Sequence, residues 1–190
     1  MSALEWPQHL LTFDDWTALP VDRRARIEVV EGVPSVSPRP MWFHLRSVTR
    51  LAFLLDEQLC PSMSAGAEAE LVLVKSPPTV RIPDVVVTSA SVAEANPARI
   101  AAADALLVIE VLSESTKQVD QVTKHFEYAE AGIEHYWIVD LDPPVSMITY
   151  RLIDGEYENF GEHSGSVVLD FAGTSVKLDL DALVDPRAQR

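Results

Sequence analysis

Two apolar runs, separated by a stretch of helical character, most constrain the fold of this chain. Residues 105–112 read ALLVIEVL and residues 136–139 read YWIV. Continuous apolar runs of this length are typical of strands that are covered on both faces of a sheet. The stretch between them has helical spacing and reaches Gly132, where a C′ glycine would end a helix. The pattern therefore predicts a strand, helix and strand at the centre of the fold.

A carboxylate, Glu110, lies near the end of the first apolar run. Burying a carboxylate in such a strand is costly unless a metal ion, a partner charge or a proton compensates for it. A second acid, Asp84, follows Pro83 at the start of the β-branched run 85–88, where a proline suits the beginning of a strand. If the two strands are neighbours, both carboxylates can converge on one point. Oxygen ligands of this kind suit Mg²⁺ or Mn²⁺, which polarises a phosphodiester and lowers the pKa of a bound water.

The segment after the first apolar run supplies a candidate amine. Asp120, Lys124 and Tyr128 follow one another at four-residue spacing, and Lys124 is one of only four lysines in the chain. A lysine beside a metal can orient the attacking water and stabilise the negative charge that develops on phosphate. We predict that these three residues lie away from the apolar face of the helix, which the pattern assigns to four other residues: Val119, Val122, Phe126 and Ala129.

The remaining pattern predicts one mixed α/β domain over residues 1–190, with a central mixed β-sheet flanked by helices and extra β hairpins. Helices are predicted after an N-cap at Thr12 and over residues 42–59. Strands are predicted over these further segments: 26–30, 33–36, 70–74, 82–88, 135–141, 145–152, 156–160, 167–171 and 176–180.

The composition limits the classes of function. The formal net charge of −14 argues against an extended basic surface that grips many phosphates, and leaves weak DNA binding through one local basic patch with the help of a divalent metal. The single cysteine, Cys60, excludes an internal disulfide and fits a cytoplasmic protein. No apolar run approaches the roughly 20 residues that span a bilayer. The first ten residues also lack the pattern of a secretory signal.

Many of these elements recur, in order, in one known family. The matching residues are Phe13-Asp14-Asp15-Trp16, Glu28-Val29-Val30-Glu31-Gly32, Ser37-Pro38, His44, Pro83-Asp84, Glu110-Val111-Leu112, Asp120, Lys124, Tyr128, Gly132-Ile133, Tyr136-Trp137 and Asp140. Over about residues 12–152 the chain resembles the Uma2 (Uma-two) family of restriction-endonuclease-like proteins, within the PD-(D/E)xK nuclease superfamily. Residues 153–190 are interpreted as a β-rich C-terminal extension.

The resemblance implies a restriction-endonuclease-like core and a metal-dependent endonuclease that acts on DNA as a homodimer. It implies Mg²⁺ or Mn²⁺ at Asp84 and Glu110. The superfamily lysine two residues after the glutamate is replaced by Leu112, and Lys124 on the helix is expected to take its place. The other implied roles concern four residues: Asp120 orients the lysine, Glu28 is an auxiliary acid, and His44 and Tyr128 contact the substrate.

Each of these residues also has a purely structural interpretation. Asp84 could cap a turn after Pro83. Glu110 could be buried against an arginine such as Arg81, and Asp120 with Lys124 could form an exposed helix pair worth about 0.2–0.5 kcal/mol. Two other functions follow from such alternatives. One is a binding module that keeps the fold but does not cleave, and the other is a glycoside hydrolase in which the two acids form an acid/base pair.

Overall fold

The computed structural model describes residues 7–19, 25–112 and 119–184, and for residues 119–121 it describes the backbone alone. Its α-helices are α1 (Phe13–Ala18), α2 (Trp42–Asp56), α3 (Ala90–Glu94), α4 (His125–Glu130) and α5 (Asp181–Val184). Its strands are β1 (Ala25–Val30), β2 (Val33–Pro38), β3 (Met63–Ala67), β4 (Leu71–Lys75), β5 (Pro78–Arg81), β6 (Val85–Ser89), β7 (Ile100–Ala101), β8 (Ala105–Val111), β9 (His135–Asp140), β10 (Ser146–Ile153), β11 (Glu156–Ser164), β12 (Ser166–Phe171) and β13 (Thr174–Asp179).

Within the described residues, the strands form two mixed sheets and a two-stranded hairpin. One sheet has the order β11-β10-β9-β8-β6-β3, and the other has the order β2-β1-β5-β4-β7. Each sheet contains one parallel pair, β8 with β9 and β4 with β7. The mixed α/β prediction is confirmed, but the prediction of a single central sheet is wrong. Two sheets form because β5, which the sequence analysis did not predict, pairs with both β1 and β4.

The six-stranded sheet is covered on both faces, as the apolar runs predict. On one face, the odd-numbered side chains of β8 pack with α2 and with the hairpin β12–β13 in a core that contains Ile109, Leu51 and Phe171. On the other face, Val108 packs with Tyr128 of α4. Successive side chains of a strand point to opposite faces, so Glu110 belongs to the face that α4 covers.

The five-stranded sheet packs one face of β1 and β5 against α1, through Val29, Val80 and Trp16. A two-residue turn joins β1 to β2, where Glu31 and Gly32 both have positive φ angles, of 49° and 80°. A Cβ atom on Gly32 would lie 3.0 Å from the carbonyl oxygen of Leu11, so this turn requires glycine. The opposite face of β1 and β5 carries charged side chains toward the six-stranded sheet.

The helical segment after β8 consists of a π-helical stretch, Val119–Lys124, and α4, and it meets the predicted buried face only in part. Ala129 is buried as predicted, but Val122 and Phe126 are 51% and 65% exposed, whereas Lys124 and Tyr128 are buried. The prediction was wrong because it followed the apolar spacing alone. The buried carboxylate of Glu110 requires hydrogen-bond donors, and these two side chains supply them.

Most predicted elements are confirmed, including the N-cap of α1 at Thr12, which forms a capping box with Asp15, and the glycine that follows α4. Three short strands, β3, β5 and β7, were not predicted, because they are made of small or proline-flanked residues that form strands only through their neighbours. The predicted helix start at 113–116 lies outside the described residues. No helix within the described ranges is long and apolar enough to span a bilayer.

Candidate active site

The ends of β6 and β8 bring the two predicted acids together. The strands are antiparallel neighbours in which Val85 pairs with Ile109, so Asp84 and Glu110 occupy the next positions along the ladder. The backbone amide of Val111 donates to Asp84 Oδ2 at 2.8 Å. Asp84 and Glu110 are only 2% and 1% exposed. The neighbouring strands that the prediction required are therefore present, while the meeting of the two carboxylates at one cation stays a prediction.

Glu110 is held by two donors from the helical segment that follows β8. Lys124 Nζ lies 2.9 Å from Glu110 Oε1, and the hydroxyl of Tyr128 donates to the same oxygen at 2.7 Å. Lys124 is 5% exposed and Tyr128 is fully buried. The amine thus reaches the carboxylate from the helix, with no lysine on the strand itself.

The charged face of the five-stranded sheet completes the cluster. Glu28 on β1 accepts hydrogen bonds from Arg81 Nη1 at 3.0 Å and from the backbone amide of Ile82 at 2.9 Å. Its Oε1 also lies 4.0 Å from Lys124 Nζ. Arg81 in turn binds Glu127 of α4 through two hydrogen bonds of 2.7 Å. Arg81 therefore connects the five-stranded sheet to α4, and Glu28 connects it to Lys124, which directly precedes α4.

Asp84 is held by two cationic or ionisable side chains. Arg26 Nη1 donates to Asp84 Oδ1 at 3.0 Å. His44 Nε2 lies 3.3 Å from Asp84 Oδ2 and 2.8 Å from the carbonyl oxygen of Val111. Both partners of His44 are acceptors, so Nε2 carries a proton. His44 comes from the first turn of α2, which adds a further element to the site.

These contacts shift the ionisation of the cluster. Burial opposes the charge on Asp84, but the hydrogen bond with His44 and the charge of Arg26 lower its pKa below the ordinary value. Burial likewise opposes the charge on Glu28, and the charges of Lys124 and Arg81 lower the pKa of that carboxyl. The pKa of His44 is raised despite its burial, because Asp84 accepts its hydrogen bond and favours its charged form.

The structure brings most of the predicted site residues into one cluster. Glu110 pairs with Lys124, and Arg81, the arginine considered as its alternative partner, binds Glu28 and Glu127. Lys124 is buried, so the interpretation of an exposed helix pair does not hold for it. The side chain of Asp120 lies outside the described residues.

Two contributors, Arg26 and Glu127, were not singled out from the sequence, and Arg81 was considered only as a partner of Glu110. Arg26 stands two residues before Glu28 on β1, and this period-2 spacing places both on the same face of the strand, a signal that was available. Arg81 immediately precedes the Ile82-Pro83-Asp84 segment on the chain. Glu127 could not be recognised, because its partner Arg81 is 46 residues away and only the fold brings the two together.

The donor set fits a hard divalent cation. Carboxylate oxygens from Asp84 and Glu110, with the nearby carbonyl of Val111, are the ligands that Mg²⁺ and Mn²⁺ prefer. Four carboxylates form ion pairs with three permanent cations, so the cluster carries one excess negative charge when His44 is neutral. The carboxylates are those of Glu28, Asp84, Glu110 and Glu127, and the cations are Arg26, Arg81 and Lys124. Across the parts of the chain that the structure describes, no group of three or more His, Cys, Asp or Glu side chains is arranged to hold a metal. A cation here would therefore have two carboxylate ligands at most, with water completing its coordination.

Comparisons with known proteins agree with this architecture. A family model described as "Uma2: Putative restriction endonuclease" matches residues 12–180. The fold is similar to a crystal structure of "a putative nuclease belonging to DUF820 from Anabaena variabilis ATCC 29413", with a TM-score of 0.68 and 21% sequence identity. That match covers 92% of this chain and 97% of the other. No curated protein matches. Because the family model covers most of the chain, including the region after residue 152, this protein belongs to the Uma2 family.

Proposed function

We propose that this protein is a metal-dependent endonuclease of restriction type that hydrolyses phosphodiester bonds in DNA. The observation that carries the proposal is the meeting of Asp84 and Glu110 on neighbouring strands, with Lys124 Nζ 2.9 Å from Glu110. Asp84 and Glu110 would hold Mg²⁺ or Mn²⁺. When bound, such a cation polarises the phosphodiester and lowers the pKa of a water ligand.

Lys124 is the residue that we assign to the attacking water and to the charge that develops on phosphate. Its ammonium lies beside Glu110 and is almost fully buried, so its field acts in a region of low water content. Glu28, 4.0 Å away, orients the ammonium of Lys124 toward the site, and we propose the same orienting role for Asp120. Family membership supports the class of reaction but not these individual roles.

Two residues receive roles that differ from the sequence-based ones. Tyr128 was expected to contact the substrate, but it is fully buried and donates to Glu110, so we now propose that it positions this carboxylate. His44, also expected at the substrate, lies against Asp84 and the carbonyl of Val111. We propose that His44 orients Asp84 and gives up its proton when a divalent cation binds.

DNA is the proposed substrate, and a homodimer is the proposed active form, because two sites are needed to cut two strands. The net charge of −14 requires the DNA contact to be local. Three arginines line a single cavity, and the first of them also binds Asp84: Arg26, Arg39 and Arg99. This cavity supplies the local cationic surface that the charge argument requires.

The direct test is nicking of supercoiled plasmid with Mg²⁺ or Mn²⁺. We expect the wild-type protein to nick, and Asp84→Ala to lose at least about 10²-fold in rate because the cation loses a carboxylate ligand. Asp104→Asn, at an exposed position away from the cluster, serves as the matched control and should nick like the wild type. Equal activity of wild type and Asp84→Ala would disprove the assignment.

A second candidate function is a nuclease-fold binding module that does not cleave. It is favoured by one observation, namely that Arg26 and His44 already bind Asp84 and that Lys124 and Tyr128 already bind Glu110. Calorimetric titration with Mn²⁺ separates the two functions. Absence of cation binding would favour the module, whereas binding that is lost in Asp84→Ala would favour the endonuclease.

A further inference from the structure

An open cavity of about 280 Å³ is lined in part by Arg26, the residue that binds Asp84. It is bounded by β1, by the segment after β2 and by residues before β4 and β7. Its charged and aromatic lining consists of Arg26, Arg39, Arg99, Glu68, Glu70 and Trp16. The three arginines outnumber the two glutamates, so the lining carries a formal positive charge in a strongly acidic protein.

Arg26 belongs both to this cavity and to the acidic site. Its Nη1 binds Asp84 at 3.0 Å, and its side chain lines the cavity. Its Nη2 is buried and has no hydrogen-bond partner among the residues that the structure describes. Buried polar groups are normally hydrogen-bonded, so an unpaired guanidinium donor at the border of a cationic cavity points to an anionic ligand.

The far wall of the cavity is also fixed by contacts. Glu70 lies 2.6 Å from Arg99 Nε and accepts a hydrogen bond from Trp16 Nε1 at 3.3 Å. One carboxylate therefore positions both a cation and an aromatic ring before any ligand arrives. The lining also includes partly exposed apolar side chains, those of Ile27, Pro40 and Ile82. Apolar surface beside guanidinium groups suits a nucleotide, whose phosphate binds arginine and whose sugar packs on apolar surface.

Resting on the proposed function, we propose that this cavity binds the nucleic-acid backbone next to the cleaved bond, with Arg26 on the phosphate that is cleaved. Without substrate, Arg26 neutralises Asp84. With a cation held at Asp84, the guanidinium of Arg26 would be available to a non-bridging phosphate oxygen, for which its planar pair of donors is well suited. Arg99 holds the neighbouring phosphate and does not touch Asp84.

The proposal predicts effects of opposite sign from one substitution. Arg26→Met removes the competitor of the cation, so we expect Ca²⁺ affinity, measured by calorimetry without nucleic acid, to rise at least about fivefold. The same variant loses a phosphate contact, so its affinity for a labelled DNA oligonucleotide in Ca²⁺ should fall about tenfold, with the salt slope reduced by about 1. A role of Arg26 in folding alone would lower both affinities or neither.

Three further variants make the result specific. Arg26→Lys keeps a positive charge beside Asp84 and serves as the variant that should still fold. Its Ca²⁺ affinity should stay near that of the wild type. Its DNA affinity should fall, because lysine lacks the planar pair of donors of arginine. Arg99→Ala should weaken DNA binding and leave Ca²⁺ binding unchanged. Arg151→Met, at a partly exposed position on β10, should change neither affinity.

Several outcomes would decide between this inference and the function on which it rests. Unchanged DNA affinity in both Arg26→Met and Arg99→Ala would overturn the inference. Binding of inorganic phosphate without binding of the oligonucleotide would also overturn it. The wild type could also bind no cation while Arg26→Met and Arg99→Ala both weaken DNA binding in EDTA. In that case the endonuclease proposal fails and the cavity remains a nucleic-acid site.

Discussion

Ile109 and Glu110 are neighbours on β8 and are equally buried, yet they face opposite sides of the same sheet and meet opposite environments. Ile109 packs in the apolar core that α2 covers, whereas Glu110 meets a lysine and a tyrosine hydroxyl from the helical segment opposite. Burying an ion pair costs desolvation energy that apolar packing avoids. The face that carries Ile109 therefore stabilises the fold through apolar packing. The face that carries Glu110 holds buried charges, and stability alone does not explain why they are there.

The largest expected effect comes from breaking the buried pair. Glu110→Ala leaves the ammonium of Lys124 without its closest counter-charge and should lower the free energy of unfolding by about 3–5 kcal/mol. Adding Lys124→Met should restore a large part of this loss, because the uncompensated charge is removed as well. Urea denaturation of both variants measures the coupling. Losses that simply add would mean that the two side chains do not form a unit.

On the opposite face, Ile109→Ala should lower the free energy of unfolding by about 2–5 kcal/mol, because it leaves a cavity in a closely packed core. The reason is packing alone, so calorimetry under conditions where the variant is folded should give the wild-type affinity for Mn²⁺. A large loss of cation affinity in this variant would erase the functional distinction between the two faces.

Two tyrosine hydroxyls, one on α4 and one on β11, provide a comparison, in which Tyr128 is fully buried and Tyr157 is partly buried. Tyr128 donates to the carboxylate of Glu110, and Tyr157 donates at the same distance, 2.7 Å, to the neutral carbonyl of Ile133. Hydrogen bonds to charged groups contribute about 1.5–3 kcal/mol and neutral ones about 0.5–1.5 kcal/mol. Tyr128→Phe should therefore destabilise the protein more than Tyr157→Phe in thermal or urea unfolding. The reverse order would indicate that Glu110 is protonated.

A smaller effect depends on pH. The pKa of His44 is raised above its ordinary value of 6.5 by Asp84, so its stabilising contribution is complete below about pH 6.5 and is lost as the pH rises through the raised value. The difference in free energy of unfolding between wild type and His44→Gln, on the order of 1 kcal/mol, should therefore be larger at pH 6 than at pH 9. Affinity for Mn²⁺ should change in the opposite sense, because the proton on His44 opposes the cation. A difference that does not vary with pH would show that His44 stays neutral.

The smallest effect is expected on the outer side of α4. Phe126 is 65% exposed, so Phe126→Ser should change the free energy of unfolding by no more than about 0.5 kcal/mol. The sequence-based face assignment predicts a core position there, and with it a loss of several kcal/mol. A large loss in urea denaturation would favour that earlier assignment over the observed face.

The sequence identified the acids of the candidate site more reliably than their partners. Glu110 was recognisable because a charge within an apolar run requires compensation, and Asp84 because it precedes a β-branched run after a proline. Arg26 and Glu127 were missed, since each acts on a residue 46 or more positions away. The inward face of α4 was misassigned for a related reason, because the carboxylate across the sheet determines which side chains are buried.

By itself, the sequence determined the strand, helix and strand at the centre, the turns at Glu31-Gly32 and Asp154-Gly155, and the family, because these depend on local periodicity and on residues in a fixed order. Only the tertiary structure decided that two sheets form and that the charges of one meet the carboxylates of the other. The physical reason is that the pairing of distant charges and strands depends on the packing of the whole chain. Local patterns do not contain that information.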